Sequence, residues 1–309
     1  MTLSTLTRPQ GATRALIDGL VSSPEAPLAF VDEPVLVNGF RKMVRNLEFD
    51  VAEMALTTYI TAKEHGVAFS ALPVFLVRDF HHGATQVLRT NTVRSVPDLA
   101  GGRIGVNRGY TVTTGVWGRA ALGRAGLDLE SVTWVCSGDE HVAEYTPPSN
   151  VTSAPEGRTL EEMLLEGELD AVVGANITHP DVVPIFEAPD DAAAQVLRQS
   201  GVFPINHLVV IRDDLLTENP GLAGSVFALF AEAKRRYVER LRIQPDGSRQ
   251  DRILSRVMEI TGRDPLPYGV EPNRATLEAL IDTAVKQHII HDRPAVEDLF
   301  AAGTRKLEG

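Results

Sequence analysis

Residues 99–119, LAGGRIGVNRGYTVTTGVWGR, read as a short apolar strand that runs through a tight turn into a helix. Arg103 to Val106 is the strand, Asn107-Arg108-Gly109 carries turn chemistry, and the threonines at 111, 113 and 114 stand where a helix starts and continues through Trp117 and Arg119. A strand feeding a helix in this way turns unpaired backbone N–H groups and the positive end of the helix dipole outward. The stretch is therefore a seat for a carboxylate, with Arg108, Tyr110, Thr113 and Thr114 as donors. The plainer alternative, a β-to-α connection that only caps its helix, is equally open on these residues alone.

Working outward, the chain alternates strands and helices. On the N-terminal side, Thr2–Leu6 and Leu28–Val31 read as strands, Pro34–Asn46 as an amphipathic helix, Phe49–Met54 as a strand with a helix from Thr57, and Phe69–Val77 as a longer strand. On the C-terminal side, Val132–Cys136 and Ala171–Val173 are strands, and FPINHLVVIRDDLL is a strand leading to helices over 220–241, 251–261 and 271–288. Between Cys136 and Thr159 lies SGDEHVAEYTPPSNVTSAPEG, too long and polar for a simple connector. This pattern predicts an α/β protein of two lobes, each a mainly parallel sheet flanked by helices, with residues 1–83 plus 206–309 in one and 84–205 in the other. Two chain crossings near Gly83 and Asn206 would leave a ligand cleft between the lobes.

The composition narrows the function. With 309 residues the chain can bury sizeable cores, and a formal charge of −11 argues against a nucleic-acid surface. Cys136 is the single cysteine, set in the apolar run VTWVC, and reads as a small buried hydrophobe. The N-terminus has no basic segment followed by an apolar one, and no run of 18 apolar residues follows, so a cytoplasmic protein without a membrane partner is expected. The sequence leaves a homo-oligomer open.

The stretches FRKMVRNLEFDVAEMALTTYITA, RIGVNRGYTVTTGVWGR, WVCSGDEHVAEYTPP, GELDAVVGA, FPINHLVVIRDDLL and GRDPLPYGVEPNRATLEALI resemble the 4,5-dihydroxyphthalate decarboxylase family, across about residues 40–300. The resemblance implies a type II periplasmic-binding-protein-like fold and a non-oxidative aromatic decarboxylase whose substrate is a small aromatic dicarboxylate. A solute-binding protein for an aromatic acid or other small anion is the alternative.

Ring decarboxylation needs a base on a para hydroxyl and an acid above the carbon that loses CO2, and in principle no pyridoxal or thiamine. His82 and His207, each at an expected crossing, are the candidate proton carriers, with His81 an alternative to His82. Glu53, in the otherwise apolar VAEMAL run, is either a base or a carboxylate paired with an arginine. Arg78 and His81 at the first crossing, and Arg41 on a helix face, are candidate substrate-binding residues. Glu140 and His141 are further substrate-binding candidates that, with Glu144, would line a lid or hold a divalent ion, the bland reading being a solvated acidic loop. No cofactor is required, though a divalent metal is compatible with these residues.

Overall fold

The computed structural model describes residues 1–244 and 247–309. The chain opens with β1 (Leu3–Leu6), the one-turn helix α1 (Arg14–Ile17), β2 (Leu28–Phe30), α2 (Leu36–Asn46), β3 (Val51–Ala55), α3 (Leu56–Glu64) and β4 (Phe69–Arg78). It continues through β5 (Thr85–Leu88), β6 (Arg103–Val106), α4 (Thr113–Arg124), β7 (Thr133–Cys136), β8 (Val151–Ser153), α5 (Leu160–Leu165), β9 (Ala171–Val173), β10 (Val182–Pro184) and α6 (Pro189–Ser200). β11 (Ile205–Arg212), α7 (Asp213–Glu218), α8 (Leu222–Ile243), α9 (Arg249–Thr261) and α10 (Arg274–Lys286) complete it.

Two compact units result. The first comprises Met1–Asp79, Ile205–Ala279 and Pro294–Gly309, the second Phe80–Pro204 and Leu280–Arg293. In the first, the sheet order is β2-β1-β3-β11-β4. β1 pairs in parallel with β2 and β3, whereas β11 runs antiparallel to both β3 and β4. β3 is buried along its whole length because it lies inside this sheet, which explains its unbroken apolar character apart from Glu53. On α2 the buried Phe40, Met43 and Val44 face inward while Arg45 is exposed, and Leu47 ends the helix with φ 51°.

The second sheet has the order β10-β5-β9-β6-β7-β8. β9, β6, β7 and β8 are parallel neighbours, and β5 is antiparallel to β9 and β10. Val135, Leu160, Met163, Leu164, Leu169 and Val172 pack together beside α5 as a core. Gly118 lets α4 lie close on β9: a Cβ there would come within 2.5 Å of Val173 Cγ1.

The expected two-lobed α/β architecture is found, with antiparallel strands added to each sheet: β11 returns the chain beside β3 and β4 in the first, and β5 runs antiparallel to β9 and β10 in the second. The segment 280–293, expected with the first lobe, packs with the second: Gln287 Oε1 accepts from Arg119 Nε at 2.8 Å, Gln287 Nε2 donates to Val116 O at 3.0 Å, and Tyr145 Oη donates to His288 O at 3.0 Å. Finally, the long polar connection contains β8, and 182–184 forms the edge strand β10. Among the described residues no helix is long and apolar enough to cross a membrane.

Candidate active site

In the first unit, β3 and β11 place Glu53 and His207 on one face of the sheet. Val209 is the direct partner of Glu53 and His207 that of Ala55, so the two ionisable side chains are diagonal neighbours. His207 Nδ1 lies 2.6 Å from Glu53 Oε1. The other carboxylate oxygen, Oε2, accepts from Thr7 Oγ1 at 2.8 Å and from the Arg8 backbone N–H at 3.3 Å, with Gln10 Nε2 at 3.5 Å. Arg8 Nε stands 3.8 Å from Oε1. Thr13 ties this loop together, its hydroxyl donating to Arg8 O at 2.8 Å and accepting from the Gln10 N–H at 3.1 Å.

Glu53 is 1 % exposed, so its ionisation depends on these partners. Burial pushes its carboxyl up, but the hydrogen bond and charge of His207, then Arg8 and Thr7, outweigh burial and hold it below the usual carboxylate value. An ionised Glu53 in turn selects the His207 tautomer with the proton on Nδ1 and leaves Nε2 for chemistry. Nε2 makes no hydrogen bond among the described residues, and the His207 side chain keeps 17 % of its surface exposed. Phe40 meets the imidazole edge-on at 5.2 Å and fixes the ring plane. The arrangement is an oriented histidine able to give and take a proton.

In the second unit the turn before α4 holds a carboxylate, and it is the protein's own. Glu140 accepts from the Tyr110 N–H, from the Thr111 N–H at 3.1 Å and from the Thr111 hydroxyl at 2.6 Å. Gly109 permits this approach: a Cβ there would stand 2.7 Å from the Glu140 carboxyl carbon. The Tyr110 N–H, expected to face a substrate carboxylate, is thus engaged by Glu140. Thr113 and Thr114 open α4, the first buried and the second half-buried. Arg108 is exposed with φ 71°, its N–H bonded to Ser137 Oγ at 2.8 Å. Beneath the seat, the fully buried Arg119 stacks at 3.8 Å on the Tyr110 ring and donates to Tyr110 O at 2.6 Å.

The remaining candidates are placed elsewhere. His82 lines a cavity of about 20 Å³ with Trp117, Ala120, Ala121 and Arg124, beside the later turns of α4 and away from its start. Its Nδ1 is buried without a hydrogen bond, and burial, then Arg124 and His81, lower its pKa. His82 belongs to the second compact unit, where its ring meets Phe186 edge-on at 5.4 Å. His81 is 4 % exposed in the same wall. Arg78 is buried and donates to Asn273 Oδ1, while Asn273 Nδ2 bonds Pro267 O and Gly269 O, each at 2.8 Å. Burial lowers the Arg78 guanidinium to about 9, against the opposing charges of Asp264 and Tyr268. It thus anchors the end of β4 within the first unit. Arg41 is half-buried on α2 and His141 is buried. Among the described residues no group of three or more His, Cys, Asp or Glu side chains is arranged to hold a metal ion. Burial raises the Cys136 thiol to about 12, Glu140 adding to this and Arg119 opposing it, in keeping with a buried hydrophobe.

Thr7, Arg8 and Gln10 are the residues that sequence reasoning missed. No motif marks them. The only available signal was a threonine and an arginine following a short strand that could neighbour the strand of Glu53.

A two-unit α/β chain with mixed sheets belongs structurally with the periplasmic-binding-protein-like folds. The periplasmic aliphatic sulphonate binding protein from Escherichia coli aligns over 98 % of this chain and 97 % of its own, with a TM-score of 0.54 at 13 % identity, a likeness of fold. The sequence relationship is stronger elsewhere. A 4,5-dihydroxyphthalate decarboxylase from Comamonas testosteroni is 32 % identical over 244 residues, covering 74 % of this chain and 73 % of that protein. One from Pseudomonas putida is 33 % identical over 201 residues, covering 60 % and 77 %. The chain belongs to the 4,5-dihydroxyphthalate decarboxylase family. No family model matches it.

Proposed function

We propose that the protein is a non-oxidative carboxy-lyase that converts 4,5-dihydroxyphthalate to 3,4-dihydroxybenzoate and CO2, with His207 as the proton carrier and Glu53 as the residue that orients it. The observation that carries this reading is the 2.6 Å contact between His207 Nδ1 and the buried Glu53 carboxylate, in a chain one third identical to decarboxylases of that name. Loss of the proton from the hydroxyl para to the departing carboxylate raises electron density at the carbon bearing it. The His207 imidazolium delivers its Nε2 proton there, forming a C–H bond and a dienone-like intermediate. The C–C bond to the carboxylate then breaks, its electron pair restores the aromatic ring, and CO2 leaves. The phenolate left on the ring regains its hydroxyl proton from solvent, His207 is reprotonated from solvent, and one proton is consumed net per turnover. Glu53 stabilises the imidazolium before transfer and holds the ring plane throughout.

Incubation with 4,5-dihydroxyphthalate tests the proposal. One CO2 and one 3,4-dihydroxybenzoate should appear per substrate consumed, and in D2O the product should carry one deuterium at the ring carbon that lost the carboxylate. Binding of the phthalate with no CO2 release would instead make the protein a receptor for an aromatic acid.

A further inference from the structure

Arg8 lies beside the catalytic pair, its guanidinium drawn to Glu53 by charge but free of hydrogen bonds among the described residues. Its backbone is fixed by the N–H contact to Glu53 Oε2 and by the Thr13 hydroxyl on its carbonyl, yet the side chain is 47 % exposed. The guanidinium nitrogen nearest the carboxylate is Nε at 3.8 Å, beyond hydrogen-bond reach, so both Nη groups stand further out. None of the guanidinium N–H groups makes a hydrogen bond among the described residues. His207 Nδ1 and Arg8 Nε thus flank the same oxygen of Glu53, each within 4 Å of it.

From this juxtaposition we infer that Arg8 is a specificity-determining residue that receives the carboxylate retained by the substrate. The inference rests on the decarboxylase reading and deepens it. In an ortho-dicarboxylate the retained group sits on the carbon next to the one that is protonated. Its counter-charge must therefore stand beside the proton donor, and a planar fork of N–H groups fits a carboxylate in bidentate fashion. Glu53 holds Arg8 close by charge without occupying that fork. The competing seat at 109–111 is taken by Glu140, so a carboxylate there would first have to displace it.

The test compares the binding of 3,4-dihydroxybenzoate with that of its neutral isostere 3,4-dihydroxybenzamide by calorimetry, in the wild-type protein and in Arg8→Gln and Arg8→Lys. The wild type should favour the carboxylate, and Arg8→Gln should reduce that preference by about 10–100-fold. Arg8→Lys, which keeps the charge and loses the fork, should fall between. An unchanged preference in Arg8→Gln would overturn the assignment, as would an equal loss for both ligands or failure of the wild type to bind the benzoate. CO2 release by the wild type is scored separately, so a failure of the decarboxylase reading is distinguishable from a failure of the Arg8 assignment.

Discussion

At the scale of single residues, Glu53 and His207 form one hydrogen-bonded pair, and the roles proposed for them separate by experiment. His207→Asn keeps a polar side chain but removes the transferable proton, so kcat should fall about 10²–10⁴-fold with substrate affinity little changed. The Glu53 carboxyl also leaves a signature in stability. Its folded-state pKa lies below the ordinary 4.5, so its ionised form stabilises the fold above that pH, and the contribution is lost as pH falls through the lowered folded value. The unfolding free energy of the wild type relative to Glu53→Gln, measured by denaturant titration, should therefore decline as pH is lowered through that window. A difference that grows toward acid would show that the carboxyl is buried neutral.

Glu53 and His207 were each singled out in the sequence because a lone carboxylate in an apolar strand and a histidine at the head of a return strand are local signals. Their contact and its setting were not legible: Thr7 Oγ1 meets Glu53 across 46 positions of chain, a contact that the pairing of β1 with β3 creates. For His82, its place next to an expected crossing suggested chemistry, but its packing beside Trp117 and Arg124 of α4 was not legible.

At the scale of elements, the connection from β6 to α4 gathers a carboxylate, that of Glu140, through the Tyr110 and Thr111 amides and the Thr111 hydroxyl. The identity of that carboxylate was hidden, because Glu140 approaches from a different loop 30 positions from Tyr110. Gly109→Ala should evict it, since the added Cβ would meet the carboxyl carbon at 2.7 Å. Hydrogen exchange at the Tyr110 and Thr111 amides should accelerate in that variant. Removing the acceptor by Glu140→Ala should cost about 1–3 kcal/mol, the range for unsatisfied donors. The double variant should cost clearly less than the sum of the two singles, because each breaks the same contact. Strict additivity, or unaltered exchange in Gly109→Ala, would contradict this account of the seat. β8 and β10 escaped notice for a different reason: at three residues each they are too short to display an alternating pattern, and neighbouring strands rather than their own sequence define them.

At the scale of the whole molecule, the alternation of strands and helices was enough to indicate two α/β units, because it is a property of long stretches rather than of particular contacts. The assignment of 280–293 was beyond it. That segment is tied to the second unit by Gln287, whose amide oxygen accepts from the fully buried Arg119 and whose amide nitrogen donates to Val116 O. A helix pattern in the sequence carries no information about which unit its last turns join. Gln287→Leu would leave Arg119 Nε without its acceptor and should destabilise the protein by about 1.5–3 kcal/mol, the range for hydrogen bonds to charged groups, read as a lowered denaturation midpoint. A loss below about 0.5 kcal/mol would mean that the contact is incidental.

The most direct measurement of the central claim is the rate of CO2 release from 4,5-dihydroxyphthalate by the wild type and by His207→Asn, together with the affinity of each for that compound. The wild type should release stoichiometric CO2, and the variant should bind comparably while turning over about 10²–10⁴-fold more slowly. Near-normal turnover in His207→Asn, or a wild type that binds the phthalate and releases no CO2, would contradict that claim.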